Sequence, residues 1–112
     1  MYEKAEARLA EMRDKPGLFS EAQAQKNYLE KYRESLLAIL MKEYEVLGFK
    51  TAAAQDREAR ADKRYLQNLI DLRTATENSE KLKWELEILK LGVAVWQTTQ
   101  ANERIERKGY GA

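Results

Sequence analysis

Three groups of side chains in this sequence have types and spacings that could do chemistry. Arg57, Arg60 and Arg64 recur at three and four residues, which on a helix gathers their guanidinium groups on one side, with Lys63 close by. Such a row can neutralise phosphates without reading bases. Asp56, Glu58 and Asp62 are interleaved with it, and the same run also reads as a solvated helical face of ion pairs. The second group closes the chain. After a polar run over residues 97–102 come Arg104, Arg107 and Lys108, then Tyr110, a set of cations with an aromatic ring that suits a single-stranded nucleic-acid contact. Cations complementing the dipole at a helix C-terminus explain these residues too. The third group is Trp84 and Trp96. An indole beside basic residues can stack on a base, but both lie within leucine-rich seams, a setting that favours burial in a core or subunit interface. Tyr28, Tyr32, Tyr44 and Tyr65 are read as packing residues.

The missing residue types narrow the function further. The 112-residue chain has no histidine and no cysteine. It therefore lacks an imidazole base, a Ser-His or Cys-His nucleophile pair, a thiolate and the usual zinc ligands. Its carboxylates and lysines fall at helix-surface spacing, with no calcium-binding loop and no phosphate-cradling glycine run. The expectation is a non-enzymatic protein with no cofactor and no metal. Twenty Lys and Arg against nineteen Asp and Glu leave a net charge of +1, so nucleic-acid binding would rest on local basic patches, multiplied by oligomerisation. The charged start and the lack of a long apolar run point to a cytoplasmic protein that does not enter a membrane.

The elements that must position these groups are helices. A composition 44% hydrophobic and 35% charged with a single proline favours an all-α, coiled-coil-like class. Tyr2, Ala5, Leu9 and Met12 predict a short N-terminal helical arm over residues 1–15, ended by Pro16-Gly17. Ser20 and Gln23 match a capping box, so a helix over 20–47 is expected, with an apolar face that includes Tyr28, Leu29, Tyr32, Leu36, Leu37, Ile39, Leu40, Tyr44 and Leu47. Gly48 fits a left-handed C-terminal cap, residues 48–51 fit a reversing turn, and Thr51 can cap the next helix. The second arm of this antiparallel hairpin is a long helix over 52–108, before a tail at 109–112. Asn78-Ser79 is its one candidate interruption, and the unbroken phase of the seam favours continuity there.

That long helix carries two apolar stripes. Leu82, Leu86, Leu89, Val93 and Trp96 follow a four, three, four, three spacing, the seam of a coiled coil. Trp84, Ile88, Leu91 and Val95 form a second stripe off to the side. A hairpin from one small chain covers one such face. The helix over 20–47 is also too short to cover all of the long one, so Leu82, Trp84, Leu86, Ile88, Leu89, Leu91, Val93, Val95 and Trp96 together are expected to form an oligomer or partner interface, unless the N-terminal arm folds back onto this region.

The layout from Thr51 onward, with Tyr65, the run from Lys83 to Leu89 around Trp84, and the close Glu106-Arg107-Lys108-Gly109-Tyr110, resembles the small bacteriophage recombination mediators of the UvsY type. The resemblance implies a helical protein that assembles with its own copies, binds single-stranded DNA and helps load a recombinase onto strands coated by single-strand-binding protein. The expectation is then an oligomeric accessory protein of phage-type DNA recombination or replication. Its contacts would be Arg57, Arg60, Arg64, Arg104, Arg107, Lys108 and Tyr110. The alternative is a helical adaptor, chaperone or inhibitor that holds a protein partner on the second stripe and touches no nucleic acid.

Overall fold

A computed structural model describes residues 2–110, and the side-chain surroundings of residues 3–109. The fold is all-α: α1 spans Tyr2–Val46, α2 spans Ala52–Ala61 and α3 spans Lys63–Tyr110. α1 and α3 form an antiparallel helical hairpin. Two compact units share these helices, one made of α1 up to Ser20 with α3 from Glu80, the other of Glu21–Ser79. Among the described residues no helix is long and apolar enough to cross a membrane.

In the unit Glu21–Ser79, Leu40 and Ala59 are fully enclosed and Leu36 and Tyr65 nearly so, with Leu37, Met41 and Tyr44 packed around them. The short α2 makes this enclosure possible by supplying a third wall. The turn between α1 and α2 has the chemistry its sequence predicts. Gly48 takes φ 109°, the Phe49 N–H donates to the Tyr44 carbonyl at 3.1 Å, and the Gly48 N–H donates to the Glu45 carbonyl at 3.1 Å. These are the paired bonds of a Schellman cap. Its customary apolar contact is an edge-to-face pair of Tyr44 and Phe49, ring centroids 5.7 Å apart. Thr51 then caps α2, its hydroxyl accepting the Ala54 N–H at 3.1 Å.

The helix expected to run from 52 to 108 is broken, and the break lies at Asp62 rather than at Asn78-Ser79. Asp62 leaves helical geometry with ψ 139° and closes α2 by donating its N–H to the Ala59 carbonyl at 3.2 Å. Its carboxylate opens α3 by accepting the Arg64 N–H at 2.8 Å. The kink has a packing reason: Ala59 and Tyr65 are both buried, yet residues six apart on one straight α-helix face well away from each other. Ser79 sits inside α3 as a buried polar residue of the seam.

In the other unit the N-terminal segment is no separate arm. α1 passes through Pro16-Gly17 without interruption, and Ser20 is an exposed residue inside the helix instead of its cap. A proline inside a helix costs roughly 3 kcal/mol, so local propensity alone argues for a stop. Packing overrides it: Ala5, Met12, Lys15 and Phe19 are buried or half-buried, while the Pro16 ring faces outward. The antiparallel register is marked by Lys15 Nζ, 2.6 Å from Glu85 Oε2, and by the Arg8 side chain lying over Gly92, where a Cβ would stand 3.0 Å from Nη1. The residues read as a tail also belong in part to α3, which extends to Tyr110.

Candidate docking face and cationic groups

The inward seam of α3 stands where its spacing predicts. In the unit containing α3 from Glu80, Leu89 is buried, and Leu82, Leu86, Val93 and Trp96 are half-buried. At 100° per residue, Trp84, Ile88, Leu91 and Val95 lie roughly 150° around the helix from that seam. They are 63%, 65%, 66% and 66% exposed, a continuous apolar strip on a folded helix. Contiguous exposed apolar side chains are the kind of surface on which proteins dock, which makes this strip a candidate face. Ile88 also borders an open groove of about 240 Å³ with Glu11, Lys15, Glu85 and Leu89.

Among the described residues, three ion pairs lie near this face. The Lys15 ammonium donates to Glu85, which raises the Lys15 pKa and holds the Glu85 carboxyl below its ordinary 4.5. Lys81 reaches the other Glu85 oxygen at 3.9 Å, and Lys90 stands 3.8 Å from Glu87.

The expected arginine row is divided by the helix break: Arg57 and Arg60 belong to α2, Arg64 to α3. Arg57 is the most open of the three, 3.9 Å from Glu58. Arg60 bonds Asp56 at 3.0 Å, donates to the Tyr65 hydroxyl at 3.3 Å and lies 5.9 Å from the centre of the Tyr65 ring. Arg64 forms a fork to Glu43, at 2.6 and 3.2 Å, and bonds Asp62 at 3.1 Å. Asp62 also accepts the Tyr44 hydroxyl at 2.8 Å. The Arg64 side-chain bond, then its N–H, then the Tyr44 hydroxyl drive the Asp62 pKa far down; the same bond to Asp62 raises Arg64 further. Tyr44, Asp62, Arg64 and Glu43 thus form one polar clasp over the α2–α3 junction.

Arg104, Arg107 and Lys108 are exposed on the last turns of α3, and among the described residues no acid stands within ion-pairing distance of them. Arg104 lines a groove of about 350 Å³ with Trp96, Gln97, Gln100 and Ala101. The Tyr110 side chain lies outside the described residues.

Several features lie beyond what sequence patterning reveals. Asp62 reads as one acid of a mixed face, although aspartate is a favoured N-cap. Lys15–Glu85 joins residues 70 apart, which no local pattern reveals. Asn68 is buried on the inward face of α3, its Oδ1 without a partner among the described residues. Tyr28 and Tyr32 correct the packing assignment: both are exposed and stack on each other at 6.1 Å, and Ile39 and Leu47 are exposed as well.

The fold is an all-α hairpin with an exposed apolar strip on α3. Compared with known proteins, the chain matches no family model, no curated protein and no solved structure.

Proposed function

We propose that this protein is a non-enzymatic, oligomeric accessory protein, whose outward strip on α3 joins copies and whose basic end contacts a polyanion. The observation that carries the reading is the exposure of Trp84, Ile88, Leu91 and Val95 in coiled-coil spacing. The N-terminal part of α1 already packs on the other stripe of the same segment, and the strip faces away from it. The open cations Arg104, Arg107 and Lys108 and the groove beside Arg104 support a phosphate-contacting role, and several tethered copies would strengthen what one copy binds weakly. The resemblance to phage mediators makes single-stranded DNA the polyanion, and phage-type recombination or replication the setting, with a recombinase or single-strand-binding protein as companion. Arg60 and Arg64 are secondary here, because folding already engages them with acids.

Titrating a fluorescent oligonucleotide against salt tests the DNA half. Affinity should fall steeply as salt rises, and Arg104→Glu with Arg107→Glu should weaken it at least tenfold. No binding at low ionic strength, or no effect of the reversals, removes that half. The availability of the strip favours a second reading, an adaptor that holds the apolar face of a partner helix. An isolated chain that stays single and binds a hydrophobic dye, losing that dye with Ile88→Glu, would favour the adaptor.

A further inference from the structure

We infer that the strip on α3 pairs with the same strip of a second copy in antiparallel, two-fold fashion, centred between Ile88 and Leu91. This rests on the reading that the strip joins copies, and adds its geometry. With that centre, Trp84 meets Val95 of the second copy and Ile88 meets its Leu91, then the same layers repeat in reverse. Every layer joins side chains of complementary or matched bulk. The parallel alternative stacks indole on indole at Trp84 and leaves only two small side chains at Val95, one layer overfull and one underfilled.

The flanking charges choose the same way. Glu80, Glu85 and Glu87 border the strip, with Gly92 and Ala94 at the equivalent flanking places two turns on and Ala101 two turns beyond Ala94. Antiparallel pairing sets Glu87 against Ala94, Glu80 against Ala101 and Glu85 against Gly92. Parallel pairing sets Glu80 against Glu85 on both sides of the seam, like charge on like. Ala94 and Ala101, both exposed, also let the two α3 helices approach closely, while Gly92 lies under the Arg8 side chain of its own chain. Four side chains about two-thirds exposed present on the order of 500 Å² per copy, so a pair hides on the order of 1,000 Å², the lower bound for a specific interface.

The absence of native cysteine makes the test clean. Full-length Trp84→Cys and Val95→Cys chains are oxidised mildly, alone and mixed, beside a molar-mass measurement of the unaltered protein. Ile88→Cys with Leu91→Cys reports on the central layer should the outer variants pair weakly. Expected are an even multiple of the 13.0 kDa chain mass, covalent dimers only in the mixtures, and single chains of unchanged helicity for Ile88→Glu. Efficient cross-linking of each variant with itself overturns the antiparallel geometry and leaves the strip as the interface. A single-chain mass for the unaltered protein, or assembly indifferent to Ile88→Glu, overturns the reading beneath it as well.

Discussion

The two units of this protein are built from the same two helices and differ in what closes them. In Glu21–Ser79 three helical segments surround a core in which Leu40 and Ala59 have no exposure. In the unit of α1 up to Ser20 and α3 from Glu80 there are only two segments, and the best-buried apolar residues are Ala5 and Leu89 at 8% each. Two helices can each hide one stripe, but enclosing a side chain takes a third wall. α2 supplies it in the first unit. In the second the place is open, and the strip Trp84, Ile88, Leu91 and Val95 stands beside it. The apolar residues that folding encloses and those it leaves exposed thereby fall in different units.

A leucine-to-alanine change should act very differently in the two units. Leu40→Ala should cost about 3 kcal/mol in urea unfolding, because it opens a cavity among enclosed neighbours. Leu91→Ala, on a side chain 66% exposed, should change the stability of the single chain by less than about 0.5 kcal/mol while lowering its assembled fraction. Equal losses in the dissociated chain would erase the distinction. Pro16→Ala acts with the opposite sign, raising stability by roughly 1–3 kcal/mol and slowing amide exchange around residue 16, since it restores a helix bond and removes a ring clash. A loss of stability there would mean that α1 does not run through this site. Gly48→Ala should cost about 1–2 kcal/mol, because φ 109° suits glycine and strains any side chain.

The smallest effect separates the units by pH. Asp62 and Glu85 are both held below their ordinary values, 3.8 and 4.5, by cationic partners. Depressed carboxylates add stability that is complete above those values and fades as pH falls through the lower, folded-state ones. The urea midpoint of the unaltered chain should therefore decline between about pH 5 and pH 2, and less so in Asp62→Asn. Identical slopes would show that the junction clasp contributes nothing to acid sensitivity. Lys15 works in reverse, its raised pKa adding stability that persists below 10.5 and fades at higher pH.

Much of this architecture is legible in the sequence because apolar spacing is a direct record of helix faces. The inward seam from Leu82 to Trp96, the outward strip and the turn at Gly48 and Thr51 each come from period or from one residue's backbone preference. Two boundaries mislead for opposite reasons. Pro16-Gly17 is a strong local stop signal that tertiary contacts of Met12, Lys15 and Phe19 overcome, and that packing is not displayed in the sequence. Asp62 is a real stop hidden among helix-forming neighbours. The clue is the six-residue gap between Ala59 and Tyr65, which stays silent because alanine does not announce itself as core. The cationic groups are visible as residues but not as partners. That Arg64 is clasped by Glu43 and Asp62 while Arg104, Arg107 and Lys108 stand open depends on contacts up to 21 residues apart.

Trp84 itself reports most directly on whether the outward strip is covered in assembly. With Trp96→Phe leaving a single indole, emission is followed as the protein is diluted. Assembly through the strip predicts a blue-shifted, quencher-protected Trp84 when concentrated, moving to the red on dilution, with Ile88→Glu red-shifted throughout. An indole that stays red-shifted and open to quencher at every concentration, in a chain that is nevertheless oligomeric, would contradict the account by placing the joint somewhere else.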